Sequence, residues 1–554
     1  MASAAESGAL RPEEVSTSES VVRSAGIVSI AVLLSRVTGL VREIALARLF
    51  GAGMSYDAFL LGFRIPNLTR DLFAEGALSS AFVPAFVTAL TRRSKQEAAE
   101  LANLVATAIL IIVGALCLLG TIFAPALVGL LAPGFQDVPG KFDLAVRMTR
   151  IMFPFLLLVA LAAQVMGMLN ALNQFAMPAL SSTFFNAGSL AAGLLLGLYL
   201  GPLIGISAIE GMAWGVVIGG ALQLAVQLPS THRAGFSFRL RIDPANEGLR
   251  QILRLMGPAI IGNAAVQVNV MVNTIFASRI GDAVRGLDGP VSWLAYAFRF
   301  MQLPLGLFGV AIGSATLPAI SRSASSGEMD EFRRTLSRSL GMVFLLTIPS
   351  SAGLALLGRS MIGAIYQGGQ FQAYDTQQTA LALSCFAIGL GAYSGIKVLT
   401  PAFYALNDSR TPMFISLSSI VINYVAASLL TQRTSLGHAG LALSTSFVAV
   451  FGFLALFWIM RNRSGGIYGR ALTASLAKVL FASAVMSCAV AGSSHAVLAW
   501  LGESRLAHLA DLGISIPAAL VIYYWACRMV RVPELELASR AIAGPLMRLR
   551  AKIQ

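Results

Sequence analysis

Apolar residues run through this chain in long blocks, one after another from end to end, with polar residues gathered into the gaps. The blocks are each near the roughly 20 residues that a helix needs to cross hydrocarbon. Hydropathy and the helix breakers together predict about fourteen spans. Their expected centres are Val37, Leu78, Val113, Leu158, Leu190, Ile218, Val266, Phe308, Leu346, Ile388, Val421, Val450, Ala484 and Ala519. The fold class is therefore all-α and polytopic in a membrane.

The gaps sort by charge. One alternate set holds Arg92, Arg93 and Lys95, then Arg233, Arg239 and Arg241, then Arg322, Arg333, Arg334 and Arg338, then Arg461, Arg463 and Arg470. The C-terminal tail, with Arg540, Arg548, Arg550 and Lys552, continues it. The other set has single cations only: Lys141, Arg285, Arg359, Arg433 and Arg505. By the positive-inside rule both termini are expected in the cytoplasm, in agreement with an even number of spans. The formal charge of +14 is thus a topological signal spread over many loops, not a nucleic-acid patch. The first residues carry Glu6, Glu13, Glu14 and Glu19 and no apolar core, so they read as a disordered tail and not as a signal peptide.

The chain also repeats itself. Phe63-Arg64, Val83-Pro84-Ala85 and Ala171-Leu172-Asn173 recur as Phe298-Arg299, Leu317-Pro318-Ala319 and Ala405-Leu406-Asn407. Arg64 and Arg299 stand 235 positions apart; Pro84 and Pro318, like Asn173 and Asn407, stand 234 apart. Two pseudo-symmetric six-helix lobes facing one another, plus two C-terminal helices, follow from that offset. The expected boundaries are a tail at 1–24, an N-lobe at 25–230, a cytoplasmic linker at 231–246, a C-lobe at 247–463, the last two spans at 464–532 and a basic cytoplasmic tail at 533–554. Repeats entering from one side are related by an axis along the membrane normal, which suits a carrier with its site between halves.

Composition agrees with this picture. The chain is 56% hydrophobic and 12% charged, against about 25% charged in soluble domains. The mean hydropathy is +0.75. Cys117, Cys385, Cys488 and Cys527 lie singly in apolar segments without metal or redox spacing. His232, His438, His495 and His508 likewise show none, so no metal site is expected. There is no Gly-rich phosphate loop and no nucleophile–base signature. A monovalent cation or the membrane potential remains as an energy source, with no cofactor.

What composition does not explain is the charge inside the apolar blocks. Arg36, Arg42, Arg70 and Arg299 have apolar flanks on both sides. An intramembrane guanidinium costs at least about 2.5–3.5 kcal/mol on insertion scales and does not deprotonate. It needs water, a partner or an anionic ligand. Arg36 and Arg42 point about 120° apart on an ideal helix, so one face cannot hold both unless a wide cavity or a kink at Gly39 exposes them. Asp57 lies seven residues before Arg64 and nearly on its stripe. Arg64 stays open between packing and substrate; Glu75 and Lys397 are supporting candidates. Arg48 reads as a snorkelling anchor. Clustered guanidinium forks suit phosphate oxygens, so the sign of the charge selects an anionic substrate.

These residues resemble a known family. Ser35-Arg36-Val37-Thr38-Gly39, Arg42-Glu43, Phe50-Gly51-Ala52-Gly53, Asp57-Ala58-Phe59, Pro66-Asn67-Leu68, Phe73-Ala74-Glu75-Gly76-Ala77 and Ala81-Phe82-Val83-Pro84 are similar to motifs of the MurJ (MviN) lipid II flippases. Met256-Gly257-Pro258-Ala259, Asn273-Thr274-Ile275-Phe276-Ala277-Ser278 and Val291-Ser292-Trp293 extend the resemblance, which runs from about Ser29 to Arg463. The family belongs to the multidrug/oligosaccharidyl-lipid/polysaccharide exporter superfamily.

The resemblance implies two six-helix lobes, a final helix pair forming a lipid groove, and no enzymatic activity. It implies transport of lipid II, the undecaprenyl-pyrophosphate-linked peptidoglycan precursor, across the bacterial inner membrane by alternating access. Its cavity residues fall on Arg36, Arg42, Asp57, Arg70 and Arg299. Two departures are visible: Asp71 stands where some members have a second arginine, and Gln302 where some have glutamate. Expected partners are lipid II, membrane lipids and cell-wall synthesis or division machinery, with the chain a monomer. The alternatives are a flippase for polysaccharide repeat units or an enzyme acting on polyprenyl phosphates.

Overall fold

The computed structural model describes residues 12–70 and 79–539, which form helices and short loops and, among the described residues, no strand beyond two isolated bridges. In chain order the first helices are α1 (Pro12–Phe50), α2 (Met54–Arg70), α3 (Ser79–Arg92), α4 (Lys95–Ile122), α5 (Ala124–Leu131), α6 (Lys141–Met152) and α7 (Pro154–Ala171). There follow α8 (Ala176–Leu194), α9 (Gly201–Ile204), α10 (Ala208–Ala225), α11 (Leu228–Arg233), α12 (Glu247–Arg279), α13 (Pro290–Pro304) and α14 (Ala311–Ser325). The last six are α15 (Met329–Tyr366), α16 (Ala373–Ala405), α17 (Arg410–Gln432), α18 (His438–Arg463), α19 (Gly469–Leu501) and α20 (Arg505–Met529).

Among the described residues, eleven helical stretches are long and apolar enough to span a membrane. The chain is a multi-pass membrane protein. Every expected span centre lies in a helix, Phe308 in the π-helical stretch Leu305–Val310 between α13 and α14, except Leu78, which is outside the described residues. α1 and α12, with 39 and 33 residues, contain two more of the expected centres, Val37 and Val266.

By internal contacts the chain divides into two compact units. The first takes the chain up to Leu46, Ala58–Val128 and Gly140–Ala264; the second takes Ala47–Asp57, Gly129–Pro139 and everything from Ala265. In the first unit, α4 buries a stripe at Ala98, Leu101, Ala102, Val105, Ile109, Val113 and Cys117 against Phe82 and Phe86 of α3 and Leu156 and Ala160 of α7. That spacing of three to four is one face of a helix. The opposite face of α4, with Ile111, Leu118, Leu119 and Ile122, is also apolar but exposed, as a lipid-facing surface is. In the second unit Phe332, Leu336, Leu340 and Val343 of α15 make the equivalent stripe, packed on α16 and α18.

α8 and α10 approach closely because small residues face one another. A Cβ on Gly215 would stand 2.7 Å from Gly193 Cα of α8, and one on Gly211 would stand 2.3 Å from Gly197 Cα, just beyond the end of α8. Gly211, Gly215 and Gly219 recur every fourth residue, the spacing that lets membrane helices touch backbone to backbone.

The repeat noticed in the sequence is visible as a turn. Asn173 and Asn407 both adopt left-handed backbone, at φ 59° and 57°. After each the chain closes in the same way: Gln174 N–H donates to Leu169 O at 2.8 Å, and Asp408 N–H to Phe403 O at 3.0 Å. An asparagine tolerates this conformation better than most residues, and both helices end there. In the second copy the Asp408 carboxylate caps the start of α17 through Thr411 and pairs with Arg463. The Thr411 hydroxyl first, then the Thr411 N–H and Arg463, hold the Asp408 carboxyl below the usual carboxylate range.

Gly215→Leu should force α8 and α10 apart and cost at least about 1–3 kcal/mol. Gly114→Ala is the control, since a Cβ there meets nothing within 4 Å. The check is the thermal denaturation midpoint of each purified variant in detergent, with Gly215→Leu lowered and Gly114→Ala unchanged.

Candidate functional site

Arg36 and Arg42 sit on α1, an unbroken helix through Gly39. Gly39 makes room for a neighbour: Asn186 of α8 donates to Ser35 O at 3.1 Å, and a Cβ on Gly39 would stand 3.2 Å from its Nδ2. Arg36 is exposed and Arg42 half-buried, as their angular separation requires. The Arg42 guanidinium lies 5.1 Å from the centroid of Phe185 and 3.7 Å from the Glu43 carboxylate, which is only 3% exposed. Both contacts offset the cost of keeping a cation there. Phe185 and Asn186 were not singled out in the sequence, because α1 and α8 lie about 150 positions apart. Arg64 is half-buried on α2. Arg70 closes α2, its side chain falling outside the described residues, as do Asp71 and Glu75 altogether.

In the second unit, Arg299 and Gln302 are exposed on α13, three residues apart on one face, and Lys397 is exposed on α16. Asp57 is different. It is 0% exposed, and its carboxylate accepts from Gly289 N–H and Ser292 N–H, both at 3.0 Å, and from the Ser292 hydroxyl. It caps the N-terminus of α13, where unsatisfied N–H groups and the helix dipole favour an anion. The stripe shared with Arg64 would place it on a cavity wall; the structure instead buries it against residues more than 230 positions away. Tyr56, beside it, stacks on Tyr296 of α13 at 5.0 Å, and Trp293 donates to the buried Asp375 of α16 at 3.1 Å. The beginning of α13 is therefore fixed from several directions.

A second arrangement went unnoticed in the sequence. Asn269 and Asn273 of α12, Ser419 and Asn423 of α17, and Ser444 and Thr445 of α18 form one hydrogen-bonded network. Asn269 donates to Ser419 at 2.9 Å, Asn273 to Thr445 at 3.0 Å, and Asn423 to Asn273 at 3.0 Å. The only sequence signal was asparagine in apolar spans, where a side-chain amide needs partners on a neighbouring helix. The network holds no carboxylate, and Asn269 Oδ1 is buried in it without a donor among the described residues. No group of three or more His, Cys, Asp or Glu that could hold a metal converges among the described residues.

Burial sorts the membrane charges by sign. Glu43, Asp57, Asp375 and Asp511 are all buried, with donors identified for each. Arg36, Arg299 and Lys397 are exposed. Lys141, fully buried at the start of α6, is an exception. Among these described residues the exposed charges are cationic, and such groups are chemically suited to hold an anion.

Comparisons with known proteins agree with this chemistry. A sequence model described as "Lipid II flippase MurJ" matches residues 46–510, a range that leaves Arg36 and Arg42 just outside. A protein named "Lipid II flippase MurJ" from Burkholderia cenocepacia is 35% identical over 79% of this chain and 82% of its own. Among solved structures, "Lipid II flippase MurJ, inward closed conformation" superposes with TM-score 0.73 at 24% identity, over 91% of this chain and 99% of that one. An inward-facing multidrug resistance MATE family transporter of the MOP superfamily superposes with TM-score 0.65 at 15% identity, over 78% and 94%. At those identities the two structures speak for the fold.

Asp57→Ala should strand two backbone N–H groups and a buried hydroxyl, at a cost of about 1–3 kcal/mol. Arg36→Ala should cost little stability, its side chain being exposed. Chemical denaturation of the two purified variants reads the difference. Equal midpoints would count against the capping role.

Proposed function

The chain belongs to the lipid II flippase MurJ family, and from that membership we infer that it moves lipid II from the inner to the outer leaflet of the bacterial inner membrane. It works as a transporter, not as an enzyme: the chemistry is recognition and release of an anionic headgroup. The observation that carries this reading, beside the family, is that Arg36 and Arg299 are exposed on otherwise apolar helices.

In the proposed cycle, Arg36, Arg42, Arg70 and Arg299 are the groups that take the pyrophosphate, since the guanidinium fork matches phosphate oxygens bidentately. Arg64, Gln302, Lys397 and Glu75 support them. Asp57 belongs to the site through the helix that it caps and touches no substrate. The polyprenyl tail stays in lipid along α19 and α20 while the head crosses by alternating access. Cytoplasmic termini, a monomeric state and partners in cell-wall synthesis or division complete the reading.

Energy comes from an ion or from the membrane potential. A negative-inside potential favours outward movement of an anion by about 2.3 kcal/mol per charge per 100 mV. Purified protein in liposomes should therefore flip lipid II faster under an imposed negative-inside potential; equal rates would exclude electrogenic transport.

The parent should rescue a bacterium depleted of its own flippase, while Arg36→Ala and Arg299→Ala should not. Each loses charge-assisted hydrogen bonds of about 1.5–3 kcal/mol, so lipid II affinity should fall more than tenfold. Rescue by both arginine variants would overturn the assignment of these residues. Failure of the parent, in cells that make it at normal level, would turn the reading toward another lipid-linked saccharide.

A further inference from the structure

The last two helices carry a carboxylate for which lipid transport as described has no use. Asp511, in the second turn of α20, is 0% exposed. Three hydroxyls donate to it: Ser494 of α19 at 2.8 Å, Ser515 of its own helix at 2.7 Å, and Ser360 of α15. Ser493 adds a fourth hydroxyl, 2.8 Å from Ser515. Three helices thus converge their oxygens on one ionisable group.

The charged neighbours are engaged elsewhere. Arg359 of α15 pairs with Glu503, in the α19–α20 turn, at 2.7 Å, and Arg505 of α20 donates to Ala364 O at 3.0 Å. His495, next to Ser494 on α19, is exposed. His508 remains. It lies one turn nearer the start of α20, 1% exposed, with its ring seated on Gly363 of α15, where a Cβ would stand 2.4 Å from Cδ2. Its Nδ1 is buried without a hydrogen-bond partner among the described residues. On the other side of Asp511 the same three helices close with Leu357 of α15, Met486 and Val490 of α19, and Ala519 and Tyr523 of α20. The polar group is therefore sealed toward the far end of α20 and approached from the Arg505 end.

We propose that Asp511 is a proton-binding site, loaded from the Arg505 end of α20 through His508. Buried carboxylates and histidines in series are the usual means of carrying protons in membrane helices. The oxygens around Asp511 already stand at hydrogen-bond distance, so nothing larger than a proton enters without parting the helices. On uptake, a proton from water, relayed by the imidazole, bonds to one Asp511 oxygen. The carboxyl then donates a hydrogen bond, and one of the three serine hydroxyls turns from donor to acceptor. No other bond changes. Because Ser360 and Ser494 belong to different helices, this exchange alters how α20 is tied to α15 and α19, and it gives the transporter a proton input.

The test needs no lipid II, so its outcome is separate from that of the flippase reading. Infrared difference spectra of the full-length protein in lipid nanodiscs, recorded across an acid titration, report the carbonyl band of a neutral carboxyl. The parent should show such a band, Asp511→Asn should lose it, and Ser360→Ala, which has one donor fewer for the anion, should keep it with its midpoint moved to higher pH. His508→Gln should keep the band but slow its appearance after a pH jump. If Asp511→Asn does not fold, the Ser360→Ala and His508→Gln arms decide alone. A band unchanged in every variant, or no titrating carboxyl at all, overturns the proposal. So does a band that sodium abolishes at constant pH, which would make the ligand an alkali cation.

Discussion

An ionised side chain in hydrocarbon must be met by donors, by a counter-charge or by water, and an open, unpaired charge there costs several kcal/mol. That constraint orders this protein. Its buried carboxylates are met from within: Asp57 by the first N–H groups of α13 and a serine, Asp375 by Trp293 and Arg285, Asp511 by serines of three helices. Arg36 and Arg299 are exposed on otherwise apolar helices. Among the described residues, the carboxylates of Asp57, Asp375 and Asp511 are thus met internally, while Arg36, Arg299 and Lys397 are exposed.

The helices themselves were legible because a membrane span is a local property: length and apolar content are enough. The repeat was legible for a related reason. Asn173 and Asn407 each terminate a helix by the same left-handed turn, and the need for that turn is written in the few residues around it. Arg36, Arg42 and Arg299 stood out because a charge inside an apolar block is conspicuous wherever it lies. Illegible were the pairings across long separations. Asp57 looked like a neighbour of Arg64 because helical spacing is all that a sequence shows; its actual donors, Gly289 and Ser292, come from another helix. The asparagine network of α12, α17 and α18 and the serine cage of Asp511 were invisible on the same ground. Serine and asparagine are small and common in membrane helices, and only folding brings them together.

Close packing and charge placement also depend on one another. Where α8 meets α10, glycines let the backbones touch, and the same helix α8 brings Asn186 to Ser35 and Phe185 over Arg42. The half-buried state of Arg42 thus rests on how α8 is held, at residues that carry no charge. A substitution among those glycines would reach the arginine through the helix.

Asp57 acts on the start of the helix that carries Arg299. The carboxylate sets where α13 begins, and the stacked Tyr56 and Tyr296 with the Trp293–Asp375 bond keep the first turns from rotating. Arg299 lies roughly two and a half turns further along that helix. A helix held rigidly at its start carries a guanidinium to a defined place, with less conformational entropy to lose when an anion binds. Removing the carboxylate would free the first N–H groups and let the start of α13 fray, displacing Arg299 although nothing near it had changed. The acidic residue that the sequence grouped with the arginines caps the helix that carries one of them.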